Sequence, residues 1–142
     1  MLRQRDGSAD DYREEVTLRT MHVPGLARRG SALVLAGDER TVRVCRLILE
    51  ELELAVDVVP ETATALRWLT RARYDLVICA PPTAAPATLA FRLRRVAPGI
   101  RIIMLTSADA SLAQDLAGMA IEVLPVLVDV NALMDRLLRP AP

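Results

Sequence analysis

Five short apolar runs punctuate this chain, and each is followed by a segment whose apolar residues repeat at helical spacing. The runs are Leu33–Ala36, Ala55–Val59, Leu76–Cys79, Ile102–Leu105 and Val123–Val126. The first helical segment, Thr41–Leu54, places Val42, Cys45, Leu49 and Leu52 on one face. The second, Thr62–Ala72, turns Ala65, Leu69 and Ala72 inward, with Thr62 suited to capping its start. The third carries Leu89, Leu93 and Val96 and stops at Pro98-Gly99; the fourth carries Leu112, Leu116 and Met119. The last, Asn131–Leu138, turns Leu133 and Leu137 inward. Strands joined by helices at this spacing run parallel and need cover on both faces, so an α/β three-layer sandwich is expected.

The strands also indicate their order. Leu76–Cys79 and Ile102–Leu105 are apolar at every position, as strands buried on both faces must be. The second run contains Asp57, so one of its faces meets water. The fifth contains Pro125, which lacks a ladder donor and suits an edge. Edges at strands two and five give a five-stranded parallel sheet in the flavodoxin-like order 2-1-3-4-5.

Residues 1–30 read differently. They are polar and charged and close on Pro24-Gly25 and Arg28-Arg29-Gly30, so they are expected to form an extension or linker. Asp10 to Met21 could add a short helix ordered only by docking. The domain proper is expected over residues 31–142.

Composition excludes several classes. Eighteen basic residues balance 18 acidic ones, which removes any long-range pull toward nucleic acid or an anionic membrane. Every basic residue is Arg, so no lysine is present for a Schiff base or a phosphate clamp. His22, the single histidine, lies in the extension, which leaves the domain without a histidine-based triad or metal site. Cys45 and Cys79 lack metal-ligand spacing and sit in apolar runs, where free cysteines pack as small hydrophobes. No segment reaches the ~20 apolar residues of a membrane-spanning helix. The N-terminus lacks the apolar stretch of a signal peptide, and a cytoplasmic chain is expected.

A sheet of this order builds its site at the C-terminal ends of its strands, near the switch point between strands one and three. The residues there are Gly37, Asp38, Ala80, Thr106, Val126 and Leu127. Around them LVLAGDERTVRVCRLILEEL resembles the opening of a CheY-like response-regulator receiver domain. YDLVICAPP is similar to its third strand and phosphorylation loop, RIIMLTSAD to its fourth strand with a switch threonine, and EVLPVLVDVNAL to its fifth strand and last helix. The resemblance covers Ser31 to about Arg139.

It implies a paired acid after strand one, where this chain has Gly37-Asp38. The implied phosphoacceptor aspartate falls on Ala80 and the switch threonine on Thr106. The implied lysine falls on Val126, the proline after it on Leu127, and the aromatic switch partner on Val123. A methyl group cannot serve as the nucleophile. Mg²⁺ needs several hard oxygen ligands, more than Asp38 supplies. No cation replaces the missing lysine.

The resulting expectation is a degenerate, pseudo-receiver pocket: a non-enzymatic module without cofactor or metal, acting in two-component phosphorelay signalling by protein–protein contact. Asp38 is expected to cap the first helix, and Thr106 to satisfy a hydrogen bond at the strand end. Arg92, Arg94, Arg95 and Arg101 read as a solvated face in preference to an anion patch. Trp68 reads as partly buried against the sheet. The apolar run Val126-Leu127-Val128, with Val123, suggests an interface, for which the resemblance implies a homodimer or partner contact through the helix 4–strand 5–helix 5 face. The alternative is a small-molecule sensor using the vacated cleft of Ala80, Thr106 and Val126. An FMN protein ranks below both, because Gly37-Asp38-Glu39-Arg40 sets two acids where a phosphate would lie.

Overall fold

The computed structural model describes residues 30–80, 85–125 and 129–142. Five strands and five helices alternate: β1 (Ser31–Leu35), α1 (Glu39–Glu51), β2 (Ala55–Val59), α2 (Thr62–Arg71), β3 (Leu76–Cys79), α3 (Pro86–Val96), β4 (Arg101–Leu105), α4 (Ala110–Gly118), β5 (Ile121–Leu124) and α5 (Val130–Leu138). All strands pair parallel, in the order β2-β1-β3-β4-β5. The expected α/β architecture and strand order are therefore observed.

Side-chain alternation along the strands divides the interior into two cores. On one face Leu33, Leu35, Val77, Cys79, Ile102 and Met104 meet Ala65 and Leu69 of α2, Leu89 and Leu93 of α3, and Leu116 of α4. On the other, Val34, Ile78, Ile103 and Leu105 meet Cys45, Ile48 and Leu49 of α1 and Leu133 of α5. β3 is buried at every residue and β4 at all but its first, whereas β2 is half-buried except at Val59. Asp57 on that edge accepts a 2.7 Å hydrogen bond from the Tyr74 hydroxyl, so its carboxylate is satisfied within the fold.

Helix ends account for three departures from expectation. The first helix closes at Glu51, short of Leu54, because Glu53 turns left-handed (φ 63°). The Glu53 N–H then donates to the Glu50 carbonyl and Leu54 N–H to Leu49, a Schellman closure. α2 ends at Arg71, so Ala72 lies beyond the helical repeat and is exposed, not inward. The fifth strand spans Ile121–Leu124, where Val123–Val126 was expected. Ala120, left-handed at φ 57°, closes α4 and starts this strand early.

Two arginines expected on a solvated face instead tie elements together. Arg94 donates to the carbonyls of Met119 (3.0 Å), Ala97 (2.9 Å), Pro98 (3.2 Å), Ile100 (2.7 Å) and Ala120 (3.2 Å). It thereby joins the C-terminal ends of α3 and α4. Arg101 forms a bidentate pair with Glu122, Nε to Oε2 at 2.6 Å and Nη2 to Oε1 at 3.0 Å. Its Nη2 also donates to the Arg136 carbonyl at 2.7 Å, and Arg136 Nη1 lies 3.7 Å from Glu122 Oε1. This network fastens the end of α5 to β4 and β5.

Cys45 and Cys79 are free and buried, one in each core. Burial pushes both thiols up to about 12. The thiolate is the reactive species, so neither cysteine should react with a disulfide reagent while the chain is folded. Labelling should proceed only at the rate of opening, and immediate modification of either residue in native buffer would contradict this packing.

Candidate functional site

Parallel pairing brings the C-terminal ends of β1, β3 and β4 to one edge. Leu35 pairs with Cys79, and Cys79 with Met104. The residue after each strand is then held by its neighbour's carbonyl. The Ala36 N–H donates to Val59 (3.1 Å), Ala80 to Leu35 (2.8 Å) and Thr106 to Leu124 (2.9 Å). Adjacent strands lie about 4.8 Å apart, so the loops at Gly37-Asp38, Ala80 and Thr106 leave the sheet side by side.

Asp38 is extended (φ −83°, ψ 124°) and caps α1. Its Oδ2 accepts from the Thr41 N–H at 2.8 Å and from the Thr41 hydroxyl at 2.7 Å. The Thr41 hydroxyl bond, and then the N–H bond, hold the Asp38 carboxyl below the usual carboxylate range. Thr41 is buried, so this cap also satisfies a hydroxyl taken inside. The capping role read from the sequence is the one the geometry shows. Beside it, no heavy atom lies within 4 Å of where a β-carbon on Gly37 would stand.

Ala80 is half-buried and packs on the α1–α5 side of the sheet. Thr106 is half-buried too, and its hydroxyl reaches only the Ser107 carbonyl, at 3.4 Å. That is long for a hydroxyl donor, so the strand-end bond at Thr106 is made chiefly by its backbone. Val126, Leu127 and Val128 lie outside the described residues, and so does the interface expected there. Val123, grouped with them, is half-buried and packs against the α2–α4 core. β5 ends at Leu124, so Val126, where the resemblance sets the lysine, lies two residues beyond the strand and outside the described residues.

The acid nearest in sequence to Ala80 stays away from it. Asp75 precedes β3, where its Oδ2 accepts from the Ser31 N–H at 2.8 Å at the opposite end of the sheet. The expected grouping of Arg92, Arg94, Arg95 and Arg101 also dissolves. Arg92 and Arg95 are exposed, with Arg95 5.9 Å from the Phe91 ring centroid, while Arg94 and Arg101 are committed to the networks above. Trp68 is half-buried against the α2–α4 core.

No protein-family model and no curated protein matches the sequence. Solved structures do match. The signal receiver domain of an HD-domain-containing protein from Pseudomonas fluorescens is 25% identical, with a TM-score of 0.67, over 78% of this chain and 92% of that one. A CheY-like response-regulator receiver domain from Methanospirillum hungatei also gives 0.67, at 15% identity, over 76% of this chain and 90% of that one. The fold is that of a CheY-like receiver domain. A third match is the receiver domain of a Pseudomonas aeruginosa sensor histidine kinase with magnesium coordinated in its active-site cleft (21% identity, TM-score 0.61, 76% and 93% covered).

The receiver fold raises the question of a divalent cation, and the residues of this edge do not fit one. Asp38 and Glu39 are the carboxylates that follow β1; one Asp38 oxygen already receives two protein donors, and Glu39 is exposed and lies 3.9 Å from Arg43. Gly37, Ala80 and Leu124 bring no side-chain oxygen. Among the described residues no group of three or more His, Cys, Asp or Glu could hold a metal ion. Mg²⁺ demands near-octahedral oxygen ligation, usually anchored by more than one carboxylate. Sequence reasoning missed the Arg94 and Glu122 networks, because their partners are backbone carbonyls or residues remote in the chain.

Proposed function

We propose that this chain is a non-enzymatic receiver-like module that works in two-component signalling by protein contact, without aspartyl phosphorylation. One observation carries the reading: a methyl group, Ala80, follows the strand where the fold would place its nucleophile, and Asp75, the acid nearest to it in sequence, is bound at the opposite end of the sheet. Phosphoryl transfer to this position needs an oxygen nucleophile, and the Ala80 methyl is not one. The signalling context draws support from the receiver neighbours. One of these, from Saccharomyces cerevisiae, is the receiver domain of a response regulator in complex with a histidine phosphotransfer signalling protein (11% identity, TM-score 0.62, 75% and 84% covered). Without a phosphoryl input, the conformation is set by whichever partner binds one state better.

The test is titration with beryllium fluoride and Mg²⁺, followed by backbone amide shifts. The signals of Gly37, Asp38, Ala80 and Thr106 should stay in place. Saturable shifts at these four residues would overturn the proposal.

A further inference from the structure

The chain carries no net charge, yet its charges are sorted by position. From Ile102 to Asp135 the sequence has five acidic residues and no basic one. Glu122 is taken up by Arg101. The remaining four, Asp109, Asp115, Asp129 and Asp135, are all exposed on α4 and α5 or at their first turns, against two basic residues at the end of α5: Arg136, which is turned to Glu122, and the exposed Arg139. Asp109 and Asp129 cap their helices through neutral N–H groups, which leaves the carboxylate charge in place. The stretch from Thr62 to Ile100 is the reverse, with six arginines and one acid, Asp75, behind the exposed Glu61 at the start of α2. Arg94 is committed to carbonyls, and Arg67, Arg71, Arg73, Arg92 and Arg95 are exposed.

None of these five arginines or four aspartates makes an ion pair among the described residues. Elsewhere charges do pair: α1 carries Glu39–Arg43 and Arg46–Glu50 four residues apart. The basic helices α2 and α3 lie side by side, and α2 packs on β1 and β2. α4 packs on β5 at the other edge of the sheet. Phe91, 55% exposed, stands among the arginines of α3. An exposed aromatic ringed by Arg is the composition of an interface centre.

We propose that the basic α2–α3 surface of one copy docks on the acidic α4–α5 surface of a second copy, head to tail. Charge complementarity within one neutral chain selects a second copy as the occupant. A symmetric pair through α4 and α5 would instead set aspartate against aspartate, which opposes association. A head-to-tail contact uses two different surfaces, so it extends into rings or open chains instead of stopping at a pair. This inference stands independently of whether the strand-end edge takes a phosphoryl group.

Sedimentation of the full chain tests it. At about 10 mM salt, where the Debye length is about 30 Å, the protein should associate with rising concentration; at about 1 M, where it is about 3 Å, it should run as a monomer. Arg92→Glu with Arg95→Glu leaves three arginines against two new acids on the basic surface, and Asp115→Arg with Asp135→Arg leaves two aspartates against two new arginines on the acidic one, so each variant loses most of the complementarity between its two surfaces. Each double variant alone should associate at least about tenfold more weakly than wild type, and an equimolar mixture of the two should associate again. All four positions are exposed, and circular dichroism of each variant confirms that folding is intact. A monomer at low salt, a salt-insensitive dimer, or a mixture that stays apart would each overturn the proposal.

Discussion

Replacing Glu122 with Ala is expected to lower the unfolding free energy by about 3–5 kcal/mol, the cost of leaving one half of a buried ion pair without its partner. The Glu122 side chain is 8% exposed and that of Arg101 15%, so water cannot readily take over the broken bonds. Arg101 would keep its contacts to the Arg136 and Leu137 carbonyls and remain buried with its charge uncompensated. Replacing both Arg101 and Glu122 by apolar residues of similar size should cost much less than the single change, because no charge is then stranded. The exposed Glu39–Arg43 pair is the contrast: Glu39→Ala should change stability by no more than about 0.5 kcal/mol. Urea unfolding followed through Trp68, the single tryptophan, measures all three. A loss under about 1 kcal/mol for Glu122→Ala would show that the pair does not hold α5 in place.

Arg94→Ala is the second large effect, a loss of about 2–4 kcal/mol. Bonds from a charged donor contribute more than neutral ones, and Arg94 spreads its donors over five carbonyls at two helix ends. Part of the loss is recovered as water reaches the carbonyls nearest the surface, so five separate bonds do not add. Arg94→Lys should not restore stability. An ammonium donates from one atom, whereas the guanidinium reaches its acceptors from Nε, Nη1 and Nη2 at once. Hydrogen exchange at Met119 and Ala120 should accelerate along with the urea midpoint shift. A lysine variant as stable as wild type would mean that charge, and not the fork, holds α3 to α4.

The fold was legible where side-chain pattern alone decides it. Ala55–Val59 and Leu76–Cys79 have the expected bounds, and the polar intrusion at Asp57 marked an edge strand correctly. The cap at Asp38 was legible because the short acid and its acceptor pattern are local. The fifth strand was displaced by two residues because IEVLPVLV is apolar almost throughout, and nothing periodic marks its ends. Glu122 gave no sign of its role, since neither Arg101 nor Arg136 is visible as its partner without the fold. Arg94 gave no signal at all: backbone carbonyls are present in every chain, and only the meeting of two helix ends makes five of them converge. The resemblance singled out Ala80, and the position of that residue beside the β1 loop came from the sheet register.

The open space beside Gly37 has a consequence for how this edge could change. Its backbone is not in the left-handed region, and an added β-carbon would have no heavy atom within 4 Å. Ala80 is anchored through its amide, which any residue other than proline provides. Acidic substitutions at positions 37 and 80 are therefore expected to leave the strand-end hydrogen bonds of this peptide frame in place.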